Sequence, residues 1–563
     1  MSTLRLALAQ LNLTVGDLDG NARRIEEAIR RARAWMADLV LVPELAVTGY
    51  PPEDLLLKPQ FVEANRRVVE RLAASARGLT AIAGFVDRGA DGTLYNAAAV
   101  LSRGRWAATY RKQCLPNTGV FDEKRYFAPG ASPLLLRIGR ARVGLTICMD
   151  LWEEAPCRML ARAGAQAIVN ISASPYHAGK LWLRERRFSE VARRHRLAIA
   201  YCNLVGGQDE LVFDGASLAF DAQGRSAARA AQFQEDLLVL DLPLAPPRRA
   251  RCRIRTLRLQ ASPEARRAPL TQRQRRVRLG PEAEVYAALT LGLRDYVRKN
   301  GFNTVVLGLS GGIDSALTAC IAVDALGPAQ VTGLIMPSRF SSARTQADAR
   351  RLAEALGIET CEIPIEPVFQ AYLSTLRPWL DRQAMGIAEQ NIQARIRGNF
   401  LMALSNAFGW LVLTTGNKSE MATGYTTLYG DMAGGFAVIK DVPKTLVYRL
   451  ARFRNARGAK HPIPASILRR APTAELAPRQ RDQDTLPAYE VLDPILQAYV
   501  EEDRSLPQIL ARNHVDPRTA RRVLQMVDRA EYKRRQGPPG IKITPKAFGK
   551  DRRMPITNRY RQY

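Results

Sequence analysis

The sequence predicts an α/β protein of two domains, the second built on a doubly wound parallel sheet. Three observations support this prediction. The chain has 563 residues, more than one domain of about 150 residues holds. Short aliphatic, β-branched runs alternate with helical stretches on both sides of a segment rich in Arg and Pro. In the second half, strands alternate with helices of about 10–15 residues, which is typical of parallel sheets.

Composition places the chain among folded globular proteins and suggests where its domains meet. It is 47% hydrophobic and 24% charged, with a net charge of +29. The densest basic run, 248–278, has twelve Arg and one Glu, no sustained period and no interleaved aromatic residues. That pattern favours a solvated connector over an RNA-binding surface. We therefore predict a first domain at 1–245, an Arg/Pro-rich linker at 246–280 and a second domain at 281–563.

Cysteine use and hydropathy indicate where the protein works. Seven cysteines without a CxxC pair suit a reducing compartment and argue against a disulfide framework or zinc ribbon. No apolar run reaches the roughly 18 residues of a membrane span. The N-terminus alternates like a strand and lacks the apolar core of a signal peptide. We expect a soluble, cytoplasmic protein with small-molecule substrates and with neither a nucleic-acid nor a membrane partner.

In the first domain, hydrophobic patterning predicts six strands and one early helix. The helix covers 21–35, where apolar residues recur at helical spacing. A hairpin is predicted towards the domain's end, with its turn at 221–224. The strands are predicted at 4–13, 38–47, 80–86, 141–149, 166–172 and 197–205.

The second domain opens with a helix at 281–300, followed by an apolar strand, a Gly-rich turn and a helix over 304–326. Further strands are predicted at 330–338 and 410–420. The turn, Ser310-Gly311-Gly312-Ile313-Asp314-Ser315, exposes backbone N–H groups at a helix N-terminus, an arrangement that cradles phosphate. A carboxylate there makes sense as a Mg²⁺ ligand, because Mg²⁺ takes carboxylates together with substrate phosphates.

GLSGGIDS resembles the phosphate loop of the N-type ATP pyrophosphatases. TTGNKSE (414–420), followed by GY, resembles a motif of the NAD synthetase family. Three further stretches resemble that family: NIQARIRGNF, APTAEL and EYKRRQGPPGIKI. The resemblance implies ATP as co-substrate, and Mg²⁺ on Asp314 and Glu420. It implies ATP contacts at Gly308, Leu309, Ser310, Gly311, Gly312, Ile313, Asp314, Ser315, Thr415, Lys444 and Thr473. It implies deamido-NAD contacts at Asn391, Glu420 and Lys533, with Arg395 or Arg397 as additional candidates.

The first domain carries a candidate nucleophile, Cys148, at a predicted strand end with no His nearby in sequence. A carboxylate base and a Lys remain as activating groups. Glu44 directly follows an apolar strand, where a buried carboxylate could accept a proton, and Lys112 lies in TYRKQCLP.

Glu44, Lys112 and Cys148, in their VPE, YRKxxL and ICxDxW strings, resemble the triad of the nitrilase-superfamily amidases. The resemblance implies that Glu44 is the general base, Cys148 the nucleophile and Lys112 a stabiliser of the oxyanion. It also implies glutamine contacts at Thr118, Ser174 and Lys180. Cys114 and Thr118 depart from the His and Tyr usual in relatives.

Nearly the whole chain is thus similar to the glutamine-dependent NAD synthetases. The resemblance implies an αββα nitrilase-like sandwich and an adenine nucleotide alpha hydrolase-like domain. It further implies ATP-dependent amidation of deamido-NAD, an internal ammonia channel and a homo-oligomer, an octamer by family resemblance. Three alternatives remain open: an amidotransferase with another acceptor, a tRNA-modifying ATP pyrophosphatase, and a non-catalytic assembly with a scaffolding amidase half.

Overall fold

The computed structural model describes residues 3–259, 270, 276–379, 385–458, 461–513, 515–561 and 563. The chain divides into two compact units. One comprises Met1–Gln208 and Val212–Gly280, and the other Asp209–Leu211 and Pro281–Tyr563. Among the described residues, every helix is too short or too polar to cross a bilayer.

The first unit contains two large sheets, the helices that cover them and a small two-stranded sheet. In chain order its strands are β1 (Thr3–Gln10), β2 (Leu39–Leu41), β3 (Thr80–Arg88), β4 (Leu94–Ser102), β5 (Arg105–Arg111), β6 (Leu134–Ile138), β7 (Ala141–Ile147), β8 (Ala167–Ser172), β9 (Ala198–Asn203), β10 (Val205–Gln208), β11 (Leu211–Asp214), β12 (Leu218–Phe220), β13 (Ser226–Arg229), β14 (Asp236–Pro243) and β15 (Arg255–Leu259). Its helices are α1 (Leu18–Ala34), α2 (Pro59–Ser75), α3 (Glu154–Arg162) and α4 (Lys180–His195).

Strands β10 and β11 pair with each other, and the two large sheets pack face to face. One has the order β14-β1-β2-β3-β4-β5 and the other β13-β12-β9-β8-β7-β6-β15. Alternate residues of β1 (Leu4, Leu6 and Leu8) join residues of β7, β8 and β9 in the core between them. Helices α3 and α4 cover the outer face of the second sheet, while α1 and α2 contact strands of the first. This is the αββα arrangement that the family resemblance implied.

The structure corrects the sequence prediction in several places. Strands β4, β5, β6 and β14 were not predicted. The strand predicted at 410–420 ends at Thr414, because the Asn417 side chain caps a helix at Lys418–Thr423. The strand predicted at 38–47 is short, because the chain leaves β2 after Leu41. The predicted linker at 246–280 contains β15, whose residues 255–259 pair in parallel with β6. Its residues are exposed or half-buried and two of the five are Arg, so the hydrophobic pattern of a strand is missing. Most of 260–275 lies outside the described residues.

The second unit contains a parallel sheet of order β18-β17-β16-β19-β20. Its strands are β16 (Val305–Gly308), β17 (Val331–Ile335), β18 (Glu359–Glu362), β19 (Leu411–Thr414) and β20 (Phe436–Ala437). Its helices are α5 (Pro281–Lys299), α6 (Ile313–Leu326), α7 (Ala343–Leu356), α8 (Glu366–Leu376), α9 (Met385–Phe408), α10 (Lys418–Thr423), α11 (Lys444–Asn455), α12 (Ala465–Arg469), α13 (Tyr489–Leu496), α14 (Leu506–Asn513), α15 (Pro517–Arg529) and α16 (Glu531–Arg534).

Helices cover both faces of this sheet, as doubly wound topology requires. Residues of α8 and α9 pack on one face, where Val306, Leu334 and Val412 lie. Helix α6 contacts α5 and α11. The chain runs from β16 to β17 and β18 on one side, then returns to β19 on the other side of β16. The β16/β19 boundary is therefore a topological switch point, where open α/β sheets bind ligands.

Candidate active sites

The three predicted amidase residues each follow the end of a strand. Glu44 lies just beyond β2, Lys112 directly follows β5, and Cys148 directly follows β7. The first two strands belong to one sheet and β7 to the other. Because the inner faces of these sheets pack together, residues distant in sequence come together at the edge of one core.

Lys112 is completely buried and joins two carboxylates. Its Nζ donates to Glu44 Oε1 at 2.7 Å and to Glu123 Oε1 at 2.8 Å. The structure therefore brings the predicted Glu44 and Lys112 together. It adds Glu123, which the sequence analysis did not single out, because no motif marks that residue.

Backbone and amide donors fix the Glu44 carboxylate. Asn96 Nδ2 donates to Oε1 and the backbone N–H of Ala173 donates to Oε2, both at 2.8 Å. Gly84 gives the loop around Glu44 room to approach β3, since a Cβ there would lie 2.2 Å from the Leu45 nitrogen. Glu44 is thus held rigidly and fully buried.

The Cys148 thiol is buried beside these charges. Burial and the Glu44 carboxylate raise the pKa of Cys148 to about 12, although Lys112 acts in the opposite direction. The thiol is therefore protonated at neutral pH and needs a base to become a nucleophile. Its backbone has a φ of +42°, a strained conformation for a residue with a side chain, and such strain concentrates at functional sites.

Burial and the neighbouring Glu44 also raise the pKa of Glu123, to about 7, against the effect of Lys112. Burial lowers the pKa of Lys112, but the carboxylates of Glu123 and Glu44 raise it well above its ordinary value. Lys112 is therefore a fixed cation, while Glu123 titrates near neutrality.

Asp150 ties the Lys112 segment to the turn that carries Cys148. Its Oδ1 accepts from the backbone N–H of Gln113 at 3.1 Å and of Cys114 at 2.8 Å. Its Oδ2 accepts from the backbone N–H of Ile147 at 3.0 Å and from the Tyr110 hydroxyl at 2.7 Å. This carboxylate holds the two segments in register.

The predicted glutamine contacts occupy different surroundings. Ser174 is buried next to Ala173, and its backbone N–H donates to Asn203 Oδ1 at 3.0 Å. Lys180 begins α4 and donates to the carbonyl of Pro175 at 2.5 Å. Thr118 is exposed, in the loop between Lys112 and Glu123. Their roles in binding glutamine stay predictions.

In the second unit, the loops after β16 and β19 open into one cavity of about 570 Å³. All of the predicted ATP and deamido-NAD contacts line it: Gly308, Leu309, Ser310, Gly311, Gly312, Ile313, Asp314, Ser315, Asn391, Thr415, Glu420, Lys444, Thr473 and Lys533. Of the two additional candidates, Arg397 lines the cavity, whereas Arg395 is exposed and donates to the Leu428 carbonyl. The cavity lies at the switch point of the sheet.

The Gly-rich turn has the features of a phosphate cradle. Gly312 caps α6 without a side-chain hydrogen bond to the first turn, so backbone donors there stay available. Gly311 has a φ of +73°, and a Cβ on it would lie 2.2 Å from the carbonyl oxygen of Thr345. Arg470 supports the turn by donating to the Gly311 carbonyl at 3.0 Å.

Two carboxylates meet at Lys444 in this cavity. Lys444 Nζ donates to Asp314 Oδ2 at 2.5 Å and to Glu420 Oε1 at 3.2 Å. Asn417 Nδ2 donates to the other oxygen of Asp314 at 2.9 Å. Burial and the nearby Asp314 raise the pKa of Glu420 to about 8, against the effect of Lys444. A cation bound beside Asp314 and Glu420 would favour the ionised form of Glu420.

The side chains of three further predicted contact residues make hydrogen bonds within the protein. Lys533 Nζ donates to the carbonyls of Gly424 and Thr426, both at 2.8 Å. Asn391 Oδ1 accepts from Thr427 Oγ1 at 2.8 Å. Thr473 Oγ1 donates to the Gln480 carbonyl at 2.6 Å.

The helix that carries Glu420 is anchored by a buried lysine at its first position. Lys418 Nζ lies 2.7 Å from Glu501 Oε1, 2.9 Å from Asp441 Oδ1 and 2.6 Å from Thr544 Oγ1. Asp441 Oδ2 in turn accepts from the backbone N–H groups of Ile543 and Thr544, at 2.8 and 2.7 Å. Residues close to the end of the chain thus fix the start of α10.

Comparison with known proteins agrees with this geometry. Residues 5–251 match the family described as carbon-nitrogen hydrolase, and residues 285–537 match NAD synthase. A glutamine-dependent NAD(+) synthetase from Thermotoga maritima is 49% identical over 577 residues, covering 100% of both chains. The chain belongs to the glutamine-dependent NAD(+) synthetases.

Other members of the glutamine-dependent NAD(+) synthetases show similar likeness. The Aquifex aeolicus protein is 45% identical over 99% of this chain and 100% of its own. The solved structure of the Acinetobacter baumannii protein, in complex with ADP, is 39% identical, covers 100% of both chains and superposes with a TM-score of 0.76. These likenesses confirm the family and fold class predicted from the sequence.

Proposed function

We propose that this protein forms NAD⁺ from deamido-NAD, using ATP and the amide nitrogen of glutamine. The observation that carries the proposal is the convergence of the two motif loops on one cavity at the switch point of the second sheet. Whole-length likeness to glutamine-dependent NAD(+) synthetases supports it. The buried Glu44–Lys112–Glu123 cluster beside Cys148 supports the glutamine-hydrolysing half.

In that half, Cys148 Sγ attacks the γ-amide carbon of glutamine while Glu44 takes the thiol proton. Lys112 and nearby backbone N–H groups stabilise the oxyanion that forms. Glu44 returns the proton to the leaving nitrogen, so that ammonia departs and a γ-glutamyl thioester remains. Water, deprotonated by Glu44, then hydrolyses the thioester to glutamate and restores the thiol.

In the synthetase half, the nicotinate carboxylate of deamido-NAD attacks the α-phosphorus of ATP and displaces pyrophosphate. The acyl adenylate that results is an activated electrophile. Ammonia adds to its acyl carbon and AMP leaves, giving the amide of NAD⁺. The Gly-rich turn, with its N–H donors at the start of α6, would hold the ATP phosphates.

The residues present fit a Mg²⁺ ion. Asp314 and Glu420 already share one cation, Lys444, and so lie close enough to bind another together. Two carboxylates are a suitable protein contribution for Mg²⁺, which takes further oxygens from phosphates and water. When bound there, Mg²⁺ would neutralise charge on the phosphates.

The remaining proposals concern the state of the protein in the cell. We propose a cytoplasmic location, which seven free cysteines support. We also propose a homo-oligomer, which the family resemblance supports.

The experiment measures NAD⁺ formation from deamido-NAD, ATP and Mg²⁺, in parallel with glutamine and with ammonium chloride, and follows AMP against ADP. NAD⁺ and AMP from both nitrogen sources are expected. NAD⁺ from ammonium alone would mean that the first unit does not use glutamine. Glutamine hydrolysis without NAD⁺ from either source would mean that another carboxylate is the acceptor.

A further inference from the structure

A buried ion pair in the first unit takes no part in the chemistry described above. Arg184, on α4, and Asp214, at the end of β11, are both fully buried. Two parallel hydrogen bonds join them, from Nη1 to Oδ2 at 3.0 Å and from Nη2 to Oδ1 at 3.1 Å. Such a pair is costly to desolvate, and apolar residues of similar volume often replace it without loss of stability. Stability alone is therefore a weak reason for it.

A continuous chain of hydrogen bonds leads from this pair to the predicted glutamine subsite. Asp214 Oδ1 accepts from Asn203 Nδ2 at 3.3 Å, and Asn203 Oδ1 accepts from the backbone N–H of Ser174 at 3.0 Å. Asn203 is itself fixed, because its Nδ2 also donates to the Gly215 carbonyl at 2.9 Å. The amide orientation of Asn203 is thus set on both sides.

The far end of this chain lies next to the general base. Ala173 precedes Ser174, and its backbone N–H donates to Glu44 Oε2 at 2.8 Å. Two successive backbone N–H groups are therefore bonded in different directions, one to the Glu44 carboxylate and the next to Asn203. Rotation of Asn203 would break its bond to the N–H of the peptide that joins Ala173 to Ser174.

We propose that Arg184 is a positioning residue for glutamine, acting through Asp214 and Asn203 on the backbone of Ser174. Its planar, bidentate guanidinium fixes the Asp214 carboxylate, which orients the Asn203 amide, which holds Ser174 in place. This inference rests on the proposed function, in which Ser174 contacts glutamine.

The test uses Arg184→Lys, which keeps the charge and loses the bidentate geometry, and Asn203→Ala, which removes the acceptor of Ser174. The KM for glutamine should rise about tenfold in each, the effect of roughly one lost hydrogen bond to a fixed group. The kcat for glutamate release should change much less. Ammonium-supported NAD⁺ formation, which depends on the second unit, should stay unchanged in the same preparations, and the retained kcat for glutamate release reports that the first unit is folded.

A matched control is Arg186→Lys, on the same helix. Arg186 pairs with Glu190 at 3.2 Å in an exposed ion pair, and such pairs contribute little to stability. The KM of the Arg186→Lys variant for glutamine should therefore equal that of the unaltered enzyme. The double variant Arg184→Lys with Asn203→Ala should raise KM no further than the larger single effect, because both changes break one chain.

An unchanged KM for glutamine in a folded Asn203→Ala variant would overturn the proposal. Additive effects in the double variant would also overturn it. If Arg184→Lys does not fold, Asn203→Ala still decides. Ser174→Ala distinguishes failure of the proposed glutamine contact from failure of the positioning role. An unchanged KM for glutamine in Ser174→Ala would refute the contact between Ser174 and glutamine. A raised KM in Ser174→Ala, with unchanged KM values in Arg184→Lys and Asn203→Ala, would refute the positioning role alone.

Discussion

At the scale of single residues, the proposed role of Cys148 predicts different behaviour with the two nitrogen sources. Cys148→Ala removes the nucleophile, so glutamine-supported NAD⁺ formation should fall to background. Ammonium-supported formation should persist, because the ATP cavity lies wholly in the second unit. Parallel assays with the two sources check this. Loss of both activities in a folded variant would contradict the assignment of Cys148 to glutamine alone.

Glu123 should make glutamine hydrolysis sensitive to pH. Its pKa is about 7, so it gains a proton as the pH falls through 7. Lys112 then loses the charge of one of its two carboxylate partners, so its position beside Glu44 and Cys148 is held less firmly. Glutamate release should therefore decline from pH 8 to pH 6.

The matched variant is Glu123→Gln, in which that titration is absent. Its glutamate release should be lower at every pH, on the order of 10²-fold for a misplaced catalytic group, and nearly flat over this range. The same decline in the variant would assign the titration to another group.

Asp314 should be required whatever the nitrogen source. Asp314→Asn keeps the size of the side chain and removes one of the two carboxylates proposed to hold Mg²⁺. NAD⁺ formation with glutamine and with ammonium should both fall, and the Mg²⁺ concentration for half-maximal rate should rise. Undiminished turnover at low Mg²⁺ would remove Asp314 from the metal site.

At the scale of elements, the Gly-rich turn depends on the absence of a side chain at Gly311. Gly311→Ala would place a Cβ 2.2 Å from the Thr345 carbonyl oxygen at a φ of +73°. The turn must distort, so the KM for ATP should rise and ammonium-supported synthesis should fall, by on the order of 10²-fold. Gly386→Ala is the control, since that exposed position has no neighbour within 4 Å of the new Cβ. Equal KM values in both variants would contradict the argument.

The sequence predicted elements well where local signals were strong. The turn 310–315 and the segment 414–420 follow apolar strands directly, and both strands form with the loops at adjacent carboxyl ends. Strand β15 was not predicted, because an Arg-rich edge strand lacks the apolar alternation of a half-buried one. Edge pairing depends on a partner, β6, that local sequence does not reveal.

The same reasoning explains which site residues were missed. Glu123, Asn96 and Asp150 acquire their roles only when the fold brings them to Lys112, Glu44 and the Cys148 turn. Asp150 alone carried a signal, as the Asp of the ICxDxW string. No spacing links Arg470 to the Gly-rich turn, 159 residues away.

At the scale of the whole molecule, each unit has hydrophobic cores of its own. Calorimetry should therefore resolve two unfolding transitions. ATP with Mg²⁺ should raise the midpoint of one, with about 2.7 kcal/mol of stabilisation at a hundred times its Kd. A glutamine analogue that alkylates Cys148 should raise the midpoint of the other transition. The analogue should leave both midpoints of the Cys148→Ala variant unchanged. A single transition that both ligands shift equally would contradict independent units.

Because Lys418 contacts Thr544, the nucleotide site can form completely only late in translation. Asn417 and Glu420 stand at the start of α10, which Lys418 and Asp441 fasten to residues 543–544. The phosphate turn is translated more than 200 residues before residues 543–544. The helix that carries Glu420 lacks these hydrogen bonds until that late segment has left the ribosome. Nascent chains, and the truncated products of late nonsense mutations, would therefore have a folded first unit and an incompletely formed nucleotide site. Such chains would hydrolyse glutamine without using the ammonia.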